Sequence, residues 1–290
     1  MYSSDGPRRL APAGLPRALR EPSRTLVMGV VNVTPDSFSD GGQWYDTEVA
    51  IAHARHLVTQ GADIVDVGGE STRPGADPVT PAEELARVLP VVETLAREGV
   101  AVSVDTINAM TARACVEAGA VVVNDVSGGL ADRSMAATVA GTGVAYVIQH
   151  WRGTPEPMAS LAVYDDVVGE VCAELADRVS AAHAAGVRDE QIILDPGLGF
   201  AKEAEHNWHL LAHLDDLAAL GYPLLVGASR KRFLAGVVPE QVAAEPLARD
   251  AATAAVSALA AAAGVWAVRV HEVAGTADAV RVAAAWRSGR

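Results

Sequence analysis

The stretch Leu26-Val27-Met28-Gly29-Val30-Val31 is a short apolar run, and the polar residue Asn32 follows it directly. The same arrangement recurs seven more times: a short β-branched apolar run ends in a polar or glycine-rich loop, and a helical pattern follows. These other runs occupy residues 63–67, 100–104, 121–123, 144–148, 191–194, 223–226 and 266–270. Continuous apolar runs of this length are typical of strands buried on both faces, as in parallel sheets.

Helical patterns separate the apolar runs. Residues 80–83, Thr-Pro-Ala-Glu, have the composition of a helix start, with a capping Thr, Pro at the first helical position and Glu at the third. Pro90, inside the helical pattern that follows, predicts a kink or a local break. Longer helices are predicted over residues 164–185 and 247–263.

Eight strand–helix units predict an α/β fold, a single (β/α)8 TIM barrel over residues 25–290. A doubly wound sheet is the alternative. That fold usually carries a glycine-rich nucleotide motif after its first strand, where this chain has Asn-Val-Thr-Pro-Asp at residues 32–36. Residues 1–24 are rich in Arg, Pro and Ala, and we expect a disordered N-terminal tail there.

Composition and charge exclude several classes of protein. Apolar residues make up 50% of the 290 residues and aromatic residues only 4%, so the core must consist mainly of Ala, Val and Leu. With 23 basic and 36 acidic residues, the net charge of −13 disfavours binding to nucleic acid or to anionic membranes. The apolar runs are too short for a transmembrane helix. Cys115 and Cys172 have no metal-ligand or CxxC spacing, and we expect free thiols in a cytoplasmic protein.

Polar residues follow every apolar run, and the active site of a TIM barrel lies at this end of its strands. Since the whole chain is acidic, an anionic substrate would need a local basic pocket there. The candidate site residues at the eight strand ends are Asn32, Asp36, Asp66, Ser71, Thr72, Arg73, Asp105, Asn124, Asp125, His150, Asp195, Ser229, Arg230, Lys231, Arg269 and His271.

Several of these residue types suit a particular chemistry. Asn32 could offer a carbonyl oxygen to Mg²⁺ or contact a phosphate. Asp105 would point into the barrel, where a heteroaromatic ring with an amino–amide edge could supply matched hydrogen-bond donors. Arg269 and His271 fall on the same side of their strand by alternation and suit a phosphate. The basic run 230–232 would supply the local positive charge that an anionic substrate needs. A polar turn, a helix cap or a salt bridge remains the alternative for each motif alone.

Two sets of histidines have structural interpretations. His150 could be catalytic, or it could be a hydrogen-bonded core residue at the end of its strand. His206, His209 and His213 lie at helical spacing, and we expect a solvated helix face rather than a metal site.

Seven stretches together closely resemble the bacterial dihydropteroate synthase family. Among them are Asp-Val-Gly-Gly-Glu-Ser-Thr-Arg-Pro-Gly at residues 66–75 and Ser-Arg-Lys at residues 229–231. The others lie at residues 28–42, 103–106, 124–127, 195–197 and 269–271. The stretches span nearly the whole chain after the first 24 residues.

The resemblance implies a transferase of folate biosynthesis, a sulfonamide target, that acts on small-molecule substrates. It would condense (7,8-dihydropterin-6-yl)methyl diphosphate with p-aminobenzoate to give 7,8-dihydropteroate and pyrophosphate, with Mg²⁺ as cofactor. The resemblance also suggests a homodimer, formed through the Ala-rich late helices.

The resemblance assigns roles to individual residues as well. The pterin would be bound by Asp105, Asn124, Asp195 and Lys231, and the diphosphate by Asn32, Arg269 and His271, with Mg²⁺ at Asn32. The p-aminobenzoate pocket would be lined by Thr72, Pro74, Phe200 and Ser229, and Arg73 would also bind substrate. Asp36 would act with Asp105, Asp195 and Lys231 in catalysis, and Phe38 on the first loop would help to close the p-aminobenzoate pocket.

Two other functions are consistent with part of this pattern. A pterin-dependent methyltransferase domain resembles the same barrel, but its substrate has no diphosphate for residues 229–231, Arg269 and His271 to bind. A non-catalytic paralogue would be expected to have degraded first and second loops. Both loops are intact in this sequence.

Overall fold

A computed structural model of the chain describes residues 11–33, 43–70, 79–153 and 161–289. Its eight strands are β1 Leu26–Asn32, β2 Ile64–Gly68, β3 Val102–Asp105, β4 Val122–Asp125, β5 Ala145–Gln149, β6 Ile192–Asp195, β7 Leu225–Val226 and β8 Ala267–Val270. The helices are α1 Arg17–Arg20, α2 Gln43–Gln60, α3 Pro81–Arg97, α4 Ala109–Glu117, α5 Met135–Thr142, α6 Val167–Ala184, α7 Ala204–Ala212, α8 Leu214–Ala218, α9 Asp250–Ala262 and α10 Ala274–Ser288. Short 3₁₀ helices lie at Asp189–Gln191, Arg232–Val237, Glu240–Val242 and Pro246–Arg249.

The strands form one parallel sheet that closes on itself. Their order is β6-β5-β4-β3-β2-β1-β8-β7, and a parallel bridge between Leu194 and Leu224 joins the two outer strands. The predicted TIM barrel is therefore confirmed. The doubly wound alternative is wrong, because that fold leaves two open sheet edges.

The strand register brings four strand ends to the same level. Asn32 pairs with Gly68, Gly68 with Asp105, and Asp105 with Asn124. These residues come from four consecutive strands, so the register itself gathers the predicted polar positions at one end of the barrel.

Two apolar layers hold the barrel together. One fills the space between the strands and the surrounding helices. The other lies inside the barrel and is formed by alternate strand residues that include Met28, Ile64, Val122, Val147 and Ile193. Burying each such side chain contributes about 1.5–3 kcal/mol. The polar site therefore stands on a packed apolar floor.

The N-terminal segment differs from the predicted disordered tail over its described part, residues 11–24. Leu15 and Leu19 are buried and belong to the inner apolar layer. Trp266 Nε1 donates a hydrogen bond of 2.9 Å to the carbonyl of Leu19. The segment is rich in Arg and Pro, but its two leucines cover the amino-terminal end of the barrel.

Helix α3 continues through Pro90, so the predicted local break does not occur. Its start is as predicted, because the amide of Glu83 donates to Thr80 Oγ1 at 3.3 Å. Pro90 deprives the carbonyl of Ala86 of its helical donor. Ala86 is exposed, so water can replace that donor. No helix of the described ranges is long and apolar enough to cross a membrane.

Candidate active site

The centre of the barrel holds an arginine between two aspartates. Arg269, on β8, donates from Nε to Asp66 Oδ2 at 2.6 Å and from Nη2 to Asp105 Oδ2 at 2.5 Å. Asn124 Nδ2 donates to the same Asp66 oxygen at 3.1 Å. Four strands thus contribute to one network in which three of the predicted residues, Asp105, Asn124 and Arg269, meet.

Asp66 is the member of this network that the predicted role assignments omit. Its side chain is fully buried, and its Oδ1 accepts no hydrogen bond from the part of the chain that the structure describes. The sequence did place Asp66 near the end of β2. A charged residue inside an apolar strand was the signal for a role within the barrel.

Burial controls the charge state of this network. It raises the pKa of Asp105 to about 7, and Asp66 raises it further while Arg269 opposes the change. Burial also disfavours the charge on Arg269, but the carboxylates of Asp66 and Asp105 outweigh it and raise the Arg269 pKa. The carboxylate of Asp105 therefore receives too few hydrogen bonds to stabilise its charge fully. This is the property expected of a group that binds an N–H of a ligand.

A second acid–base pair lies beside the first network. Asp195, at the end of β6, accepts a 2.7 Å hydrogen bond from the amide of Gly197. A side chain at Gly227 would lie 3.8 Å from both Asp195 Oδ2 and Arg269 Cβ, so the two networks face each other across this glycine. Burial raises the pKa of Asp195, an effect that the positive charge of Lys231 opposes.

Lys231 presents its ammonium group to the same space. Its Nζ donates to the carbonyl of Leu198 and lies 4.8 Å from the centre of the Phe200 ring. Burial lowers the pKa of Lys231 to about 8, although the carboxylate of Asp195 opposes the change. Lys231 and Phe200, predicted for two different substrates, are thus direct neighbours.

Ser229 and His271 form a separate polar pair. Ser229 Oγ lies 3.0 Å from His271 Nδ1, and it also accepts a 3.1 Å hydrogen bond from the amide of His271. The pair therefore links the ends of β7 and β8.

The basic run that begins at Arg230 does not act as one patch. Arg230 has a left-handed backbone, with φ 58°, and binds Asp250 through hydrogen bonds of 2.7 and 2.8 Å. Arg232 is exposed. The prediction that the whole run supplies positive charge to the site is wrong, because the left-handed turn directs only Lys231 towards Asp195.

Two strand-end residues have structural roles. Asp125 is buried and accepts hydrogen bonds from Ser127, Gly129 and Tyr146. These hydrogen bonds stabilise the charged form of its carboxylate. His150 is a hydrogen-bonded buried residue, as the structural alternative predicts. Asp36, Phe38, Thr72, Arg73 and Pro74 lie outside the described residues, so their predicted roles stay predictions.

Asn32 has the chemistry of a single magnesium ligand. It ends β1 in the row of strand ends, is partly exposed, and carries a neutral amide oxygen. Within the described ranges, no group of three or more His, Cys, Asp or Glu side chains could hold a metal ion. Mg²⁺ usually takes one or two protein oxygens and completes its shell with water and substrate phosphates. The residues present therefore fit a magnesium ion carried by a diphosphate.

Comparison with known proteins identifies the family. The model of the pterin binding enzyme family matches residues 28–271. The chain is also 51% identical over 263 residues to the dihydropteroate synthase of Mycobacterium leprae (strain TN), covering 90% of this chain and 93% of that protein. The chain belongs to the dihydropteroate synthases, within the pterin-binding enzymes. This is the family that the sequence motifs resemble, so the resemblance is confirmed.

Solved structures of the family share the fold. A Xanthomonas albilineans dihydropteroate synthase with 4-aminobenzoic acid matches with a TM-score of 0.82 and 44% identity, over 92% of this chain and 93% of that one. The enzyme from the same organism in complex with 7,8-dihydropteroate gives 0.79 and 42%, over 92% and 94%. Membership of the dihydropteroate synthases makes this chain a transferase of folate biosynthesis.

Proposed function

We propose that this chain condenses (7,8-dihydropterin-6-yl)methyl diphosphate with p-aminobenzoate, releasing 7,8-dihydropteroate and pyrophosphate. The observation that carries the proposal is the enclosed group of Asp105, Asn124, Asp195 and Lys231 beside Arg269 at one end of a pterin-family barrel. The structures of related enzymes with 4-aminobenzoic acid and with 7,8-dihydropteroate carry the acceptor and the product of this reaction.

The pterin is assigned to the two buried acids and their neighbours. A pterin ring offers N–H donors along its amino–amide edge and a carbonyl acceptor. Burial raises the pKa of both Asp105 and Asp195, and N–H groups of the ring would stabilise their charged forms. Asn124 can donate and accept, and the Lys231 ammonium would donate to a ring acceptor.

The diphosphate is assigned to Asn32, Arg269 and His271. The two aspartates occupy Nε and Nη2 of Arg269, and we assign Nη1 to a diphosphate oxygen. Bound at Asn32, Mg²⁺ would neutralise charge on the diphosphate and so make it a better leaving group.

The chemistry requires that the departing group take an electron pair and that the positive carbon be stabilised. The C–O bond to the diphosphate breaks, and pyrophosphate leaves with both electrons. The cation on the methylene carbon is delocalised into the dihydropterin, where the charges of Asp105 and Asp195 stabilise it. The amine of p-aminobenzoate then forms the C–N bond, and its extra proton passes to the departing pyrophosphate. This path is SN1-like and needs no strong general base.

The p-aminobenzoate pocket is assigned to Phe200 and Ser229. The Phe200 ring lies against the Lys231 ammonium, and Ser229 precedes Lys231 by two positions in the sequence. Thr72, Arg73 and Pro74 are proposed to complete the pocket, and Asp36 to act beside the departing diphosphate. Closure of their two loops would exclude water, which would otherwise hydrolyse the cation.

The proposal is tested by product analysis with labelled p-aminobenzoate, the pterin diphosphate and Mg²⁺. We expect labelled dihydropteroate and pyrophosphate in equal amounts from the purified chain. Asp195→Asn should abolish most of this product, whereas Arg97→Ala, an exposed change at the far end of α3, should not. A chain that binds the pterin but forms no labelled product would contradict the proposal.

We further propose a cytoplasmic homodimer. On the adjacent helices α9 and α10, Leu259, Val282 and Trp286 expose 73%, 62% and 83% of their surface. Large exposed apolar side chains on neighbouring helices are typical of a protein interface. Light scattering should give twice the chain mass, and Trp286→Glu should shift it towards the monomer.

A further inference from the structure

The chain between β6 and α7, residues 196–203, has an irregular backbone. We call it the β6–α7 segment. Three of its residues have left-handed φ angles: Gly197 at 65°, Gly199 at 77° and Ala201 at 46°. A side chain at Gly197 would lie 2.1 Å from the carbonyl oxygen of His150, so the segment lies directly against the end of β5. Contacts to other parts of the barrel must therefore fix this conformation.

Lys202 supplies several of those contacts from inside the segment, and Asn207 and Tyr164 supply others, through the amide of Gly199 and the carbonyl of Ala201. Lys202 Nζ donates to the carbonyls of Gly197 and Phe200, both at 3.1 Å, and lies 2.8 Å from His150 Nδ1. An ammonium group has three donors, and these three partners use all of them. The side chain thus folds back on its own segment and ties it to β5.

His150 is arranged to accept from this lysine. Its Nε2 lies 3.0 Å from Glu174 Oε2. Because a carboxylate only accepts, Nε2 carries the proton and Nδ1 is left as the acceptor for Lys202. Glu174 is held in turn by Arg152, whose Nε donates to Glu174 Oε1 at 2.9 Å. Burial lowers the pKa of His150 to about 2, which keeps the ring neutral.

The lysine content of the chain singles out the same position. Among its 23 basic residues only two are lysines, Lys202 and Lys231, and the other 21 are arginines. Both lysines place a compact ammonium group against backbone carbonyls of residues 197–200. Arginine occupies every other basic position of the chain.

The β6–α7 segment carries one side of the proposed p-aminobenzoate pocket and touches the second lysine at three consecutive residues. The carbonyl of Leu198 accepts from Lys231 Nζ. A side chain at Gly199 would lie 3.0 Å from Lys231 Cδ. The ring of Phe200 faces the Lys231 ammonium. The shape of this segment therefore decides how Phe200 and Lys231 meet.

We propose that Lys202, held by His150, is a positioning residue for p-aminobenzoate that fixes the β6–α7 segment so that Phe200 stays against Lys231. This inference rests on the proposed function. Lys202 does not touch the reacting atoms in this arrangement, because its three donors are taken by His150 and by backbone carbonyls. Its loss should weaken the binding of the amine substrate more than that of the pterin.

The test is a steady-state comparison of Lys202→Met with the unaltered chain. We expect the KM for p-aminobenzoate to rise about tenfold or more, and the KM for the pterin diphosphate to change by less than about threefold. Gln191→Met is the matched control. Gln191 is also buried and donates to two backbone carbonyls, those of Val139 and Val144, but at the opposite end of β6. The Gln191→Met variant should have a lower Tm and unchanged KM values for both substrates.

A spectroscopic readout separates positioning from general destabilisation. Labelling lysine with ¹³C at Cε gives two side-chain signals, and Lys202→Met leaves that of Lys231. We expect the Lys231 signal to move in this variant, because Leu198 and Phe200 shift, and to stay unchanged in Gln191→Met. A role limited to stability would lower the Tm without moving that signal or the ratio of the two KM values.

Changes at His150 keep the inference testable if Lys202→Met does not fold. His150→Asn retains an acceptor close to the position of Nδ1, and His150→Leu removes it. Only the leucine variant should show the large rise in the KM for p-aminobenzoate. Equal KM values for both variants, or a parallel rise for both substrates, would overturn the inference. If the unaltered chain itself makes no dihydropteroate, the proposed function fails instead.

Discussion

Asp105 should destabilise the folded chain, and replacing it with asparagine should reveal this. The Asp105 carboxylate is nearly buried beside Asp66, whose side chain is fully buried, and the single guanidinium of Arg269 serves both. Asp105→Asn keeps the shape and the hydrogen-bonding capacity of the side chain but removes its charge. Arg269 keeps Asp66 as its partner in the variant.

The magnitude follows from the pKa of the acid. Burial raises the pKa of Asp105 from its ordinary value of 3.8 to about 7. Because the folded state holds this proton more tightly than the unfolded state, stability is lost as pH rises from about 3.8 to about 7. At ~1.4 kcal/mol per pH unit, the loss is about 2 kcal/mol at pH ~5.5 and about 4 kcal/mol at pH ~8.5.

Urea unfolding at these two pH values measures the effect. The pKa of Asp105 already includes its attraction to Arg269. What cancels in the comparison is the difference in packing and hydrogen bonding between asparagine and the protonated acid, which does not depend on pH. Relative to the unaltered chain, Asp105→Asn should gain about 2 kcal/mol between pH ~5.5 and pH ~8.5, while kcat/KM falls by about 10²-fold or more. A stability difference that is the same at both pH values would refute the assigned charge state.

Three further expectations follow from the same structure. Lys231→Ala and Asp195→Asn should each lower kcat/KM by about 10²-fold or more, on the order of 3 kcal/mol, and near-normal turnover in either variant would contradict its role. The pH profile of kcat/KM should be bell-shaped. Asp105, with a pKa of about 7, is charged above that pH, and Lys231, with a pKa of about 8, is charged below that pH. Activity should therefore fall below pH ~7 and above pH ~8. A flat profile between pH ~6 and pH ~9 would rule out these two groups. Leu15→Ala should lower the free energy of unfolding by about 2–4 kcal/mol, whereas Arg17→Ala, exposed on the same segment, should change it by less than about 0.5 kcal/mol; equal effects would contradict the packed N-terminal segment.

The barrel could be predicted because its signals are local. Strands buried on both faces require continuous apolar runs, and each run in this chain corresponds to one strand of the sheet. The position of the site followed from the same rule, since polar residues after a strand must lie at its carboxyl end. The row from Asn32 through Gly68 and Asp105 to Asn124 is the result.

The pairing of charges could not be predicted, because it depends on contacts between residues far apart in the chain. Arg269 meets Asp105 and Asp66 across 164 and 203 positions. Alternation along β8 indicates the face on which Arg269 lies but not the charge that it meets. A run of basic residues likewise does not indicate the left-handed turn at Arg230.

Two features were missed for compositional reasons. Leu15 and Leu19 lie in a segment whose Arg, Pro and Ala content is typical of disorder, yet two apolar side chains suffice to dock it on an exposed barrel end. Lys202 follows a glycine-rich turn, a position typical of a solvated basic residue in a loop. The signal that could have found it was the count of only two lysines in a chain with 21 arginines.

The most direct test of the account is pyrophosphate release by the purified chain with the pterin diphosphate and Mg²⁺, measured with and without p-aminobenzoate. Release should depend on p-aminobenzoate and be matched by the formation of dihydropteroate. Pterin binding by calorimetry without any such release would contradict it and favour a pterin-binding barrel that does not catalyse the condensation.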